Sequence, residues 1–326
     1  MWGVLHCLSS PISAIFQTSV SSRRNGCNFI MKEQKPEAAF VDIEFSCADY
    51  TFPLLSRHQR LSLIRLLDFS FVDLGLFARS PQMSPELMVA SPAAFAGCLK
   101  EDLDRTGLSV ADVFLQIGLA PEECAVNDPS LQVRERNRDI FQHTIELCIS
   151  LSCKHLSGLP GVRHLEVEAG RDHACAVTET AWRLEKCAEA GIVYSVEAHM
   201  GSICADVEST RQFLAAVPGL TLTLDYGHFV ASGEQSGTIH GLLPAASHIH
   251  VRAGSRQRLQ TPLEDNQIDF AGMIDGLSRS GYTGLLALEY VWDRWQLCNR
   301  ADTLSETILT RELLKQLGRS FSGVSA

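Results

Sequence analysis

A chain of 326 residues with 45% hydrophobic and 20% charged side chains carries enough apolar material for a large core, as one α/β barrel or two ordinary domains. Its formal net charge of −10 argues against a nucleic-acid backbone as partner, because such surfaces need basic side chains, and favours a small neutral or metal-bound substrate. Eleven scattered cysteines without a CxxC pair read as reduced, mostly buried thiols rather than a disulfide framework, and no apolar run approaches the ~20 residues of a membrane span.

Residues 1–36 stand apart. No acidic residue precedes Glu33, while Ser21, Ser22, Arg23 and Arg24 give the segment a Ser- and Arg-rich character. Such a composition suits an organellar transit peptide, or an upstream extension with Met31 as the effective start. It is expected to be disordered and dispensable for folding. The expected location is the cytoplasm, with organellar import if the segment is a transit peptide.

From residue 37 to about 320 a single domain is expected, with 321–326 as a tail. Strand one is predicted over Phe40 to Ser46, with a helix through Leu55 to Leu67. Strand two follows at Phe71 to Phe77, with a helix over Ser91 to Arg105. Strand three spans Val110 to Ile117 and leads into the amphipathic stretch Arg136 to Cys153. Strand four is predicted over Val162 to Glu168, with its helix at Thr178 to Ala190. Strand five is Val193 to His199, with a helix over Ser209 to Val217. Strand six ends at Asp225, with a helix near Gly237 to Ala246. Strand seven is Ser247 to Arg252, with the helix Asp269 to Ser280; strand eight is Gly284 to Tyr290, and Leu304 to Leu317 closes the chain. Eight βα units match the size of a (β/α)8 TIM barrel. An open doubly wound sheet is disfavoured, because strand one leads into Cys47-Ala48-Asp49-Tyr50 with no Gly-rich phosphate loop.

The last four strands each end in a residue that can bind a metal. Side chains alternate along a strand, so Leu222 and Leu224 point one way while Thr221, Thr223 and Asp225 point the other; Leu286 and Leu288 likewise oppose Ala287 and Glu289. If the leucines face helices, the acids face the barrel mouth. One inward acid or histidine is ordinarily a hydrogen-bonded structural group. Glu197, Asp225 and Glu289 converging together would repel each other and lose hydration without a cation. A divalent ion held by these three and His250 resolves the conflict, and such a hard, oxygen-rich set suits Mn²⁺, Mg²⁺ or Co²⁺, with Zn²⁺ as a further candidate.

Glu197, Asp225 with His228, His250 and Glu289, in that order on strands five to eight, resemble the xylose-isomerase-like TIM barrel superfamily of sugar isomerases, epimerases, dehydratases and endonuclease IV. The Gly233 region, Ile268-Asp269-Phe270 and Gly281-Tyr282-Thr283-Gly284 resemble it too. The resemblance implies that Glu197, Asp225, His250 and Glu289 bind one divalent ion and that His228 contacts substrate. It also implies that Glu197 and Glu289 are bases on opposite faces of a metal-bound ketose, acting through an enediolate. Arg252 shares parity with His250 and could hold a substrate oxygen or carboxylate, with Arg256 as an alternative. Glu197-Ala198-His199 resembles the dehydratase branch, where the histidine is a base, so dehydration of a cyclic polyol ketone (inosose or 3-dehydroshikimate type) is the alternative to isomerase or epimerase; a simple loop-capping role for His199 stands beside both. His248 reads as a satisfied core histidine, Trp292 and Trp295 as pocket walls or packing, and Glu44, Asp73 and Gln116 as candidate polar contacts. Two readings are more remote. An endonuclease IV-like DNA repair enzyme would need histidines on strands two and three, which have none; a non-catalytic sugar-binding barrel would not keep the acid set. The partner expected is a small carbohydrate or cyclic ketone, with no membrane and no nucleic acid, and with a homo-oligomer left open.

Overall fold

The computed structural model describes residues 43–322, so the expectations for residues 1–36 and for the tail beyond 322 lie outside the described residues. Eight parallel strands close into a barrel in chain order, β1 pairing with both β2 and β8. The strands are β1 (Phe45–Ala48), β2 (Phe71–Phe77), β3 (Ser109–Gln116), β4 (His155–Gly158), β5 (Val193–Glu197), β6 (Thr221–Asp225), β7 (Ala246–Val251) and β8 (Leu286–Leu288). The helices are α1 (Arg57–Leu66), α2 (Pro85–Ala90), α3 (Pro92–Thr106), α4 (Leu131–Ser150), α5 (Ala169–Glu189), α6 (Val207–Ala216), α7 (Tyr226–Ala231), α8 (Ser236–Ile239), α9 (Phe270–Ser280) and α10 (Thr303–Ser322). This is the expected (β/α)8 barrel. No helix among the described residues is long and apolar enough to cross a membrane.

The strand faces follow the parity of the sequence. Leu222 and Leu224 are fully buried in the apolar layer under the helices, where Val196, Ile249, Leu286 and Leu288 join them. The other face of each strand fills the barrel and is largely polar. Ser157 Oγ meets Thr223 Oγ1 at 2.7 Å and Ser195 Oγ at 3.2 Å, and Ser195 Oγ meets Thr223 Oγ1 at 2.6 Å, so three neighbouring strands satisfy one another's hydroxyls. Deeper in, His155 Nδ1 pairs with Asp112 Oδ1 at 2.6 Å, and His248 Nε2 with Asp73 Oδ2 at 2.6 Å. His248 is therefore the satisfied core histidine its position predicts. Buried polar groups paired in this way avoid the cost of desolvation without a partner.

Three expected elements need correction. Val162 to Glu168 is not strand four: it is the loop before α5, whose N-terminus Glu168 caps by accepting from the backbone N–H of Gly170 and Arg171. The strand is His155–Gly158, where the only outward apolar side chain is Leu156, so its apolar signal is weak. Strand one runs later than expected, from Phe45 to Ala48, and residues 40–42 of the expected span lie outside the described residues. In place of one helix near Gly237 to Ala246 come α7, α8 and a 3-10 turn over His240–Ala245, which Pro244 keeps from continuing as an α-helix.

Candidate metal and catalytic site

Glu197 and Asp225 are the last residues of β5 and β6, His250 lies near the end of β7, and Glu289 directly follows β8. Parallel pairing brings these ends to one mouth, with Asp225 in register with His250, and all four side chains are buried. His250 Nδ1 stands 2.7 Å from Glu197 Oε1 and 3.1 Å from Glu289 Oε2. Arg252 reaches the same cluster: Nε lies 2.9 Å from Asp225 Oδ2, and Nη2 donates to both that oxygen and Glu289 Oε2, the latter at 2.8 Å. Arg252 faces the mouth as parity predicts, but its partners here are two of the expected metal ligands.

The electrostatics are those of an acid cluster that needs cations. Burial, and then the Glu289 charge, push the Glu197 carboxyl up to about 7. Burial raises Asp225 as well, against the pull of Arg252. Glu289 is held below its ordinary value despite burial, because Arg252 and His250 both stabilise its charge. Burial works against the His250 imidazolium, yet the carboxylates of Glu289 and Glu197 hold its pKa well above the usual value. Ligand atoms of Glu197, His250 and Glu289 lie within 4.8 Å of one another, as do those of Glu197, Asp225 and His228. The His250 proton and the Arg252 guanidinium thus supply the positive charge that a divalent ion among these hard oxygen donors would otherwise provide. The residues present fit such an ion, with Arg252 as the side chain that would have to yield at Asp225 and Glu289.

Two further histidines border the cluster. His199 lies in the loop just beyond β5, and its Nδ1 donates to the Met200 carbonyl at 2.9 Å. That bond makes Nε2 the basic nitrogen, and Nε2 is buried with no hydrogen-bond partner among the described residues. His228 stands in the first turn of α7, which Asp225 caps by accepting from Gly227 N–H at 2.7 Å. Burial, and secondarily Arg252, keep His228 well below its ordinary pKa, and burial also lowers His199. Both rings are therefore neutral near pH 7, at 5.9 Å between centroids.

A cavity of about 270 Å³ rises from the carboxylates, lined on one side by Glu197, His199, His228, Arg252 and Glu289. Opposite them stands an aromatic wall of Tyr50, Phe77 and Phe114, with Tyr50 and Phe77 at 4.8 Å edge to face. Gly75 permits that wall, since a Cβ there would sit 2.4 Å from the Tyr50 ring. Gln116 lines the cavity as expected, and Trp295 stacks near His228 at 6.1 Å. Asp73 does not line it, being paired to His248 beneath. Nor does exposed Glu44, which precedes β1 at the opposite end of the barrel, and Arg256 lies on a separate depression beside Gly233. Tyr50, Phe77 and Arg79 escaped the reading of the sequence as cavity residues: Tyr50 and Arg79 lie just beyond β1 and β2, where no periodicity points to the mouth, and Phe77 is the last residue of β2.

Fold and site together define a parallel barrel with a buried carboxylate–histidine cluster at the C-terminal mouth, the face where such barrels carry their active sites. The profile of the xylose isomerase-like TIM barrel family matches residues 62–315, and the chain belongs to that family. No curated protein matches the chain in sequence. Among solved structures it is similar to the D-allulose 3-epimerase of Methylomonas sp., at 15% identity over 85% of this chain and 98% of that one, with a TM-score of 0.67. It is also similar to 3-keto-D-glucoside 4-epimerase from E. coli, at 12% identity over 84% and 100% with a TM-score of 0.64. The probable 3-DHS dehydratase of Bacillus anthracis is 14% identical over 84% and 99%, with a TM-score of 0.60.

Proposed function

We propose that the chain is a divalent-metal-dependent isomerase or epimerase of a sugar or sugar-like ketose, working by proton abstraction beside a carbonyl. The observation that carries this reading is the placement of two buried glutamates, Glu197 and Glu289, on a shared His250 Nδ1 at the floor of one cavity. Glu197, Asp225, His250 and Glu289 would hold the ion, most suitably Mn²⁺, Mg²⁺ or Co²⁺, and when bound it supplies charge stabilisation for an oxyanion developing at the substrate carbonyl. The Glu197 and Glu289 carboxylates take the proton from the carbon next to the carbonyl and return it. Epimerisation uses one from each face, and isomerisation uses one that delivers the proton to the neighbouring carbon. Neutral His228 orients a substrate oxygen, and the aromatic wall excludes water from the carbanionic centre.

The test is elemental analysis of purified protein, followed by proton exchange in D₂O with a panel of ketoses and cyclic ketones. One divalent ion per chain is expected, and at 100 times its dissociation constant it should stabilise the fold by about 2.7 kcal/mol if it binds only the native state. A metal-free protein whose melting temperature ignores Mn²⁺, Mg²⁺ and Co²⁺ would sink the metal-dependent reading.

The unpartnered His199 Nε2 supports a second reading, dehydration of a cyclic polyol ketone, in which His199 is the base. His199→Asn separates the two. For an isomerase or epimerase, the variant keeps most of its rate and still washes deuterium into the carbon beside the ketone. For a dehydratase, exchange and dehydration fall together, by about 10²–10⁴-fold.

A further inference from the structure

The catalytic cavity has a neighbour on the β1–β8 side. A second cavity of about 410 Å³ adjoins it, and Tyr50, Phe77, Arg79, Val291 and Asp293 line both. The partition is therefore a single layer of side chains. Its outer part is the Arg79–Asp293 ion pair, 2.6 Å long between side chains 52% and 38% exposed. An exposed pair of this kind contributes little to stability, so a ligand can part it cheaply. Its inner part is Tyr50, whose buried hydroxyl has no hydrogen-bond partner among the described residues. Burial, and then the charges of Glu289 and Asp73, keep that phenol protonated.

No member of the carboxylate–histidine cluster lines the second cavity, and its cations are already engaged: Arg60 Nη1 lies 3.2 Å from Asp49 Oδ2, and Arg79 holds Asp293. The remaining surface sets Leu54, Leu55 and Trp292 beside the polar Ser56, Ser80 and Gln82, with Leu54 78% and Trp292 44% exposed. Large apolar side chains left open at a cavity that continues the carboxylate site mark a surface kept for ligand.

We propose that the substrate is bipartite. A sugar or sugar-like ring occupies the first cavity over Glu197 and Glu289, and an apolar aryl or alkyl substituent on that ring occupies the second. The identity of the ring rests on the proposed function of the first cavity; the apolar preference of the second does not. Arg60 keeps an unpartnered Nε, so a phosphate substituent is the rival occupant and enters the test.

Calorimetric titration of the full chain with matched methyl and 4-nitrophenyl glycosides of several hexoses, and with the hexose 1-phosphates, decides the matter. The 4-nitrophenyl member of at least one pair should bind about tenfold tighter than its methyl partner, a difference of about 1.4 kcal/mol, or be the only member detected. Leu54→Asp and Trp292→Ala should each shrink that preference to about twofold or less while leaving a measurable methyl glycoside affinity unchanged. Equal affinity or absence of binding in every pair would overturn the proposal. So would an aryl preference that survives both substitutions, or tighter binding of the phosphates that Leu54→Asp leaves intact. Because the readout is binding, the two readings fail separately. Aryl preference without metal or deuterium exchange removes the proposed reaction and keeps the second cavity's role; exchange without aryl preference does the reverse.

Discussion

Glu197→Gln and Glu289→Gln should each lose at least about 10²–10⁴ of the rate at which deuterium enters the carbon beside the substrate carbonyl, the contribution of one positioned base. Both carboxylates touch the same His250 Nδ1, at 2.7 and 3.1 Å, so neither can be neutralised without disturbing the other's environment. An amide keeps the shape and one acceptor oxygen but can neither take the proton nor supply the charge that a divalent ion needs. The two losses should therefore be far from additive, and the double variant should be scarcely worse than either single one. Glutamine also removes one negative charge from a cluster in which three buried carboxylates face Arg252 and His250, so the variants should stay folded by circular dichroism. Mass spectrometric exchange kinetics on folded variants checks this. A rate within about tenfold of the parent chain's for either variant would remove that glutamate from the proposed proton chemistry.

The acids were legible because the strands that carry them obey a simple alternation. Leu222 and Leu224 need the helix-facing side, which leaves Asp225 inward, and Leu286 and Leu288 do the same for Glu289. The same logic failed at β4. There the inward residue Ser157 is held by Ser195 and Thr223, partners that only the closed barrel brings near, while Val162 to Glu168 mimics alternation in what is a loop. Parity also placed Arg252 at the mouth, yet it could not say whom Arg252 meets, since the pairing with Asp225 and Glu289 crosses from β7 to both neighbouring strands. The aromatic wall was invisible for a related reason. Tyr50, Phe77 and Phe114 come from three different strand ends, and their edge-to-face contacts depend on the space above Gly75. Local pattern reveals which way a side chain points. Only closure of the barrel reveals what it points at.

The Arg252 contacts lead to the second large effect. Arg252→Met keeps much of the side chain's volume but leaves Asp225 buried without its cation and Glu289 with His250 alone, and breaking a buried pair in this way costs about 3–5 kcal/mol. Metal-free Arg252→Met should therefore unfold at markedly lower urea than the parent chain. The loss should depend on pH. Asp225 already sits above its ordinary pKa because burial outweighs the pull of Arg252, and removing the guanidinium raises it further, along with Glu289. A carboxyl with a raised folded pKa binds its proton more tightly in the native state, so the variant's deficit is smallest in acid, where the acids are protonated in both states. It grows as pH rises through those folded values. Added Mn²⁺ should reverse much of the deficit, because an ion among these oxygens supplies the missing charge, and should stabilise the variant more than the parent chain, in which the ion must displace Arg252. Urea melts of both proteins in chelator and in Mn²⁺, in mildly acidic and mildly alkaline buffer, measure all three effects. A variant within about 1 kcal/mol of the parent in alkaline chelator would show that Arg252 is not the cation these acids require, because one unpaired buried charge alone exceeds that figure.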